Sequence, residues 1–302
     1  MNGHIEFPDA HAAPGTNGST PRPLKRDPDG FLRRSVQDLF SLAQRTVVIT
    51  GGARGIGLAF TFAVAEAGGH VAILDVADEP HPHFHELAKR HPKQQFKHYK
   101  TDVTKYEVLQ KSIDAIVEDF GRIDGLITAA GICPDEPFLE RDPKSVARCF
   151  EINTLGTYYA AQLVAKQMTT QAPTDFNPHG GSIVFVASIA AYVASKGQCT
   201  SDYCSSKGAV VSLAKALGVE LAAHHIRVNS ISPGYTVTDM TLDLCERMPH
   251  LGHIMTHEPP MRRMADRTDL KGIVVYLLSD ASAYQTAEDT LITGGIHAGR
   301  LM

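Results

Sequence analysis

Residues 46–57 read Thr46-Val47-Val48-Ile49-Thr50-Gly51-Gly52-Ala53-Arg54-Gly55-Ile56-Gly57. The first five are apolar or β-branched, as in a buried strand. Glycines follow, and a helical pattern then runs from Gly55 to about Ala67. Glycine permits the tight turn and lets backbone approach a pyrophosphate. The helix N-terminus adds free N–H groups and the positive end of its dipole. The same residues would also serve as a plain structural turn. What favours the phosphate loop is Asp75, which closes the next apolar run, His70-Val-Ala-Ile-Leu-Asp75, 18 residues beyond Gly57. A carboxylate ending a second strand reaches both hydroxyls of an adenosine ribose. It also repels a 2′-phosphate, which favours NAD over NADP. Arg54 pulls the other way, since a cation in the loop attracts that phosphate. Asp75 weighs more, because it faces the 2′ position itself and Val76 adds no cation.

Beyond this unit, strands are expected at 95–100, 123–128, 182–187, 226–231 and 289–292, with helices at 105–119, 143–169, 203–223 and 268–279. Alternation of strand and helix over this length implies one doubly wound parallel-sheet domain of the Rossmann type, with helices on both faces. It is expected over residues 41–302. Residues 1–40 differ: prolines and glycines from Pro8 to Gly30 break any periodicity, as in a flexible tail with one short helix near 36–42.

The chain has 302 residues, 43% of them hydrophobic, enough for one large core. A net charge of -4 argues against a nucleic-acid partner, which asks for a basic surface. No apolar run is long enough to span a bilayer and no signal-peptide pattern opens the chain, so a cytoplasmic protein is expected. Cys133, Cys149, Cys199, Cys204 and Cys245 are scattered and odd in number, which fits reduced thiols. His81, His83 and His85 alternate between prolines. They invite a metal reading, but no further ligand set accompanies them and a solvated loop is expected.

Tyr203-Cys-Ser-Ser-Lys207 carries the chemistry. On a helix the two functional groups share one face. A phenol titrates near ~10 and exchanges protons poorly at neutral pH. A cation beside it favours the phenolate and makes it a better acid/base. The spacing alone is common on helix surfaces, and it gains meaning from the glycine loop upstream.

With these residues in hand, the chain resembles the short-chain dehydrogenases/reductases over about residues 44–297. Thr50 to Gly57 matches that family's cofactor loop, including Gly51, Arg54, Gly55, Ile56 and Gly57. Asp102 and Val103 match the pair that contacts adenine. Asn153, Ser188, Tyr203 and Lys207 match its catalytic residues. Ala130 and Gly131 fall in its cofactor-side turn, and Pro233, Gly234, Thr236 and Thr238 in the loop that holds the nicotinamide. Three departures stand out. Thr128-Ala129-Ala130-Gly131 replaces Asn-Asn-Ala-Gly, so the contact there is expected through backbone. Thr293 stands for the usual Asp. Ser188 precedes Tyr203 by 15 residues, two more than usual. That longer spacing, with Ser232-Pro-Gly-Tyr235, resembles a fungal branch of polyol and ketose dehydrogenases, of the arabinitol or sorbose type.

The resemblance implies hydride transfer between NAD, with NADP as the alternative, and a secondary alcohol or ketone. Tyr203 would exchange the proton, with its pKa lowered by Lys207. Lys207 would also bond the nicotinamide ribose. Ser188 would bond the substrate oxygen, and Asn153 would hold a water on the proton path. Taken singly, Ser188 reads better as a strand-end hydroxyl bonded to its own backbone, and Asn153 as a helix polar residue bonded locally; four matching residue types on one Rossmann-like pattern reverse that preference. Residues 239–264 would cover the substrate. Their Met and Leu content leaves open a lipophilic secondary metabolite instead of a polyol, with Tyr192 and Cys133 as further pocket-wall candidates. The helices at 143–169 and 203–223 would pair subunits into a homodimer or homotetramer. A regulatory or scaffold protein that binds the cofactor is the reading from another class. The intact Ser188, Tyr203 and Lys207 set weighs against it.

Overall fold

In the computed structural model, residues 29–299 are described; most of the segment expected as a tail, residues 1–28, lies outside them. The chain divides after Arg33. The described part of the first unit contains one 3-10 turn, Gly30–Leu32. The second unit begins with α1 (Val36–Leu39), shorter than the helix expected there. Ser35 caps it by accepting the Asp38 N–H while Asp38 accepts from the Ser35 N–H.

The strands are β1 (Thr46–Thr50), β2 (His70–Asp75), β3 (Phe96–Lys100), β4 (Gly125–Thr128), β5 (Ser182–Val186), β6 (Arg227–Pro233) and β7 (Asp289–Ile292). They form one parallel sheet in the order β3-β2-β1-β4-β5-β6-β7. The order reverses between β1 and β4, and a crevice opens there beyond the strands' carboxyl ends. Both faces are covered, so the central strands are apolar throughout and do not alternate with polar residues.

One face carries α4 (Tyr106–Phe120), α6 (Gly156–Thr169) and α7 (Ser201–Glu220), packed on Val48, Leu126, Phe185 and Val228. The other carries α2 (Gly55–Glu66), the short α3 (Leu87–Arg90) and α10 (Lys271–Leu278), packed on Val47, Ile49, Ile73 and Val184. The sequence reads 143–169 as one helix. The chain instead makes α5 (Pro143–Phe150), a π-helical turn at Glu151–Leu155 and then α6. One added residue in a turn hardly disturbs the apolar repeat, so periodicity cannot reveal it. The segment expected to cover the substrate forms α8 (Asp239–Arg247) and α9 (Pro249–His257). Among the described residues, no helix is long and apolar enough to cross a membrane.

The histidine segment forms a 3-10 turn, Pro82–Glu86, capped by His81, whose Nδ1 accepts the His83 N–H at 3.2 Å. Among the described residues no three His, Cys, Asp or Glu side chains come together as a metal site.

Candidate active site

The glycine loop closes between β1 and α2. Gly51 and Gly55 have φ of 68° and 59°, which other residues adopt only under strain. Close approach adds a second requirement. A Cβ on Gly57 would lie 2.1 Å from the Gly51 carbonyl oxygen, and one on Gly51 would lie 2.6 Å from Ala130 N. A Cβ on Gly55 would meet nothing within 4 Å, so the loop presents bare, open backbone on that side. Such a cradle fits a dinucleotide pyrophosphate. Ile56 follows in the first turn of α2. Arg54 is the exposed N-cap residue of that helix, without a side-chain capping bond.

Asp75 is buried beside the loop. Its Oδ2 accepts the Ala53 N–H and its Oδ1 the Ala77 N–H, both at 3.1 Å. The two bonds fix the carboxylate against the loop and leave further lone pairs for ribose hydroxyls. Asp102 closes its own turn, accepting from the Thr104 N–H and hydroxyl at 2.9 and 2.7 Å. Burial pushes its carboxyl up, but the Thr104 bonds and the Arg148 charge outweigh this and hold it below the usual range. Val103 lies beneath Gly156, where a Cβ would come within 2.7 Å of its side chain. Across the crevice, Ala129 N–H donates to the Thr50 carbonyl at 3.0 Å, which sets Ala130 and Gly131 against the glycine loop. Pro233 ends β6. Gly234 passes Thr293 so closely that a Cβ would lie 2.9 Å from its Cα. Thr236 donates to the Gly234 carbonyl at 3.1 Å, and Thr238 caps α8 by accepting the Thr241 N–H at 3.2 Å.

The four candidate catalytic residues converge at the carboxyl ends of β4 and β5. Ser188 Oγ makes the local backbone bond the sequence allows, accepting the Ala190 N–H at 3.1 Å, and its hydroxyl lies near enough to the Tyr203 phenol to favour the phenolate. Lys207 is buried and donates to the Val186 carbonyl at 2.7 Å. Its ammonium stands 5.8 Å from the centre of the Tyr203 ring. A Cβ on Gly131 would lie 3.2 Å from Asn153 Oδ1 and 3.6 Å from Lys207 Nζ, so glycine keeps that wall open.

Asn153 is fully buried on the π-turn. Its amide pairs twice with the Ile132 backbone, at 2.9 Å each way, and donates to Ser206 Oγ at 3.0 Å. Ser206 in turn donates to the Tyr203 carbonyl at 2.8 Å. The side chain is therefore a clamp between the β4 loop and α7, and the Thr157 hydroxyl donates to its main-chain carbonyl at 2.8 Å. No sequence pattern announces Ser206 in this role.

The electrostatics correct one expectation. The sequence implies that Lys207 depresses the Tyr203 pKa, yet burial pushes the phenol up, with the Cys133 thiol adding to it and the nearby Ser188 hydroxyl opposing it. Burial also brings the Lys207 ammonium down to about 8. A low-dielectric site penalises phenolate and ammonium alike. The ammonium lies over the ring rather than at the hydroxyl, so it offsets little of that penalty. The hydroxyl of Tyr192, a pocket-wall candidate, donates to Asp289 Oδ2 at 2.8 Å, at the start of β7. Cys133 stays near Tyr203, its thiol pushed up to about 12 chiefly by burial. A separate cleft of about 220 Å³, lined by Arg34, Gln44, Arg45 and Phe176 among others, opens near the start of β1 at the opposite end of the strands.

α9 packs beside the loop between Ser188 and Tyr203. Leu251 and Met255 are buried, and Leu251 and Ile254 pack on Gly197 of the loop between Ser188 and Tyr203. Met240, Leu242 and Met261 are exposed. The segment 239–264 is pinned at both ends, by a bridge between Thr236 and Ala265 and by the Met261 N–H donating to the Gly294 carbonyl at 3.1 Å.

Residues 51–297 match a family model described as enoyl-(acyl carrier protein) reductase. The chain is 31% identical to a short chain dehydrogenase/reductase of Aspergillus versicolor, over 91% of this chain and 93% of that one. It is 33% identical to the NADP-dependent mannitol dehydrogenase of Hypocrea jecorina, over 85% and 94%. The structure of the NADPH-dependent 3-quinuclidinone reductase of Rhodotorula rubra superposes with a TM-score of 0.81 at 33% identity, over 92% and 99%. Fold, glycine loop and these full-length similarities agree: the chain belongs to the short-chain dehydrogenase/reductase family.

Proposed function

We propose that this oxidoreductase interconverts a secondary alcohol and a ketone, with Tyr203 exchanging the proton at the substrate oxygen. The convergence of the Ser188 hydroxyl, the Tyr203 phenol and the Lys207 ammonium beside Gly131 carries this reading. A bound nicotinamide supplies or accepts the hydride. The chain's own residues do the rest. The loop at Gly51–Gly57 and Asp75 hold the dinucleotide, with Asp102, Val103, Ala130, Gly131, Pro233, Gly234, Thr236 and Thr238 along its length. Ser188 bonds the reacting oxygen and stabilises charge growing on it. Tyr203 gives or takes the proton, Lys207 renews it, and Asn153 connects Lys207 to solvent. A homodimer or homotetramer, joined through α5–α7, belongs to the same reading.

A polyol or ketose is the favoured substrate. The long connection between Ser188 and Tyr203 supports it, as do the sugar-alcohol names among relatives. The rival lipophilic substrate rested on the Met- and Leu-rich segment. Leu251 and Met255 are buried packing residues there, which reduces its weight. The test is turnover against pentitols, hexitols, their ketoses and hydrophobic cyclic alcohols. Polyols should be oxidised and ketoses reduced; turnover confined to the cyclic alcohols would establish the rival, and none at all would favour a scaffold.

NAD is the favoured cofactor. Asp75 is held at the loop by two backbone N–H groups, Asp78 and Glu79 follow it, and the nearby Lys100 is engaged by Asp78 at 2.5 Å. This surface repels a 2′-phosphate, whereas Arg54 alone attracts it. Titration by nicotinamide fluorescence should find NADH bound about tenfold or more tightly than NADPH, on the order of one uncompensated charge contact. Tighter NADPH binding would reverse the assignment and align this chain with the NADP-dependent relatives.

A further inference from the structure

We propose that Arg141 is a positioning residue for Tyr203, acting through its buried ion pair with Asp202. The inference rests on the assignment of Tyr203 as the acid/base.

The pair is almost entirely out of water, with side-chain exposures of 3% for Arg141 and 1% for Asp202. Arg141 Nη1 meets Asp202 Oδ1, and the same oxygen accepts the Tyr203 N–H at 2.8 Å. Asp202 lies in the first turn of α7, where the helix dipole favours an anion. The other side of the guanidinium holds two loops. Arg141 Nη2 donates to the Glu136 carbonyl at 2.6 Å and also to the Cys199 carbonyl. Those loops are cross-linked further: Glu136 N–H donates to the Cys199 carbonyl at 3.1 Å, and Cys199 N–H to Asp135 Oδ1 at 2.8 Å.

One side chain thus joins three segments. The first leads away from Gly131, the second carries the lengthened connection from Ser188, and the third is the helix turn that aims Tyr203. Arg suits the task because its planar fork can serve a carboxylate and two carbonyls at once. The extra length between Ser188 and Tyr203 is therefore a tethered strap rather than a slack loop. The pair also adds balanced charge close to Tyr203, alongside the Ser188 hydroxyl, the Lys207 ammonium and the Cys133, Cys149 and Cys204 thiols that face it. Removing either partner leaves a net charge of opposite sign beside the phenol.

The test compares Arg141→Met, Asp202→Asn and the double variant, reading kcat, NADH affinity and the pH profile of kcat/KM for alcohol oxidation. Each single variant should lower kcat about tenfold or more with NADH affinity unchanged. The apparent pKa should move up in Arg141→Met and down in Asp202→Asn, and return close to its original value in the double variant. Burial of an unpaired charge can impair folding of the single variants. The double variant leaves no unpaired charge, and its profile alone must still match the wild-type pKa at reduced kcat. A purely structural pair would lower the urea midpoint while the folded variants keep normal kcat and an unshifted profile, and that result overturns the proposal. Wild-type protein that turns over no alcohol or ketone would instead overturn the assignment of Tyr203, and the inference with it.

Discussion

Tyr203→Phe lowers turnover by about 10²- to 10⁴-fold, the range over which a positioned general acid or base contributes, and leaves NADH affinity unchanged. The substitution removes one oxygen and keeps the ring that Lys207 overlies. Ser188 keeps the Ala190 N–H, so no buried hydroxyl is orphaned and the fold should be undisturbed. The same assay carries a pH signature. Reduction requires a protonated Tyr203 and gains from a charged Lys207, whose pKa lies near about 8. Lys207 is charged below that value and neutral above it, so reductive kcat should decline as pH rises through about 8. Near-normal kcat in Tyr203→Phe, measured with the best substrate of the panel, would remove Tyr203 from the mechanism.

The parts of this site that can be read from sequence are those in which local pattern and chemistry coincide. The loop from Thr50 to Gly57 needs glycine because its backbone nearly touches itself and Ala130, and such constraints are written residue by residue. β1 and β2 lie where the apolar runs place them, because a strand covered on both faces has no polar position in its middle to blur the run. Asn153 could be identified as a site residue, but its clamp to Ile132 and Ser206 could not, since a π-turn leaves the helical repeat nearly intact. The sign of the Tyr203 shift was equally hidden. Spacing shows that a phenol and an ammonium share a helix face, while the dielectric around them depends on everything packed above. Arg141 and Asp202 stand far apart in the chain, each with a sequence context typical of an exposed helix end. Only the tertiary structure makes them a buried pair.

A second buried ion pair lies where no sequence motif points, and it sets stability rather than chemistry. Asp280 and Arg45 have side-chain exposures of 3% and 5%, and Arg45 Nη2 reaches Asp280 Oδ1 at 2.5 Å. Arg45 also donates to the carbonyls of Phe176 and Leu278, each at 3.1 Å. Arg34, 42% exposed, reaches the second carboxylate oxygen at 2.6 Å. Arg227 lies close by: burial, followed by the charge of Arg45, brings its pKa down to about 10. One carboxylate therefore balances a crowd of guanidinium groups just before β1 and at the start of β6, the end of the sheet away from Tyr203. Asp280→Asn keeps the shape and removes the charge, so Arg45 is left buried without a counter-ion. Breaking such a pair costs about 3–5 kcal/mol, which at a slope of about 3 kcal/mol per molar urea moves the midpoint down by roughly 1 M or more. Arg34→Gln breaks a half-exposed contact and should cost no more than about 1 kcal/mol. The acid limb gives an independent check. Burial pushes the Asp280 carboxyl up, but the bonds from Arg45 and Arg34 outweigh it and hold the pKa below 3.8. Its contribution is thus complete above the unfolded value and lost as pH falls through the lower, folded one. Asp280→Asn should therefore lose that part of the acid dependence along with its stability at neutral pH. Because the cluster touches no catalytic group, folded Asp280→Asn protein should keep its kcat at low temperature. A variant as stable as the wild type would show that solvent reaches this pair and that the sheet draws nothing from it.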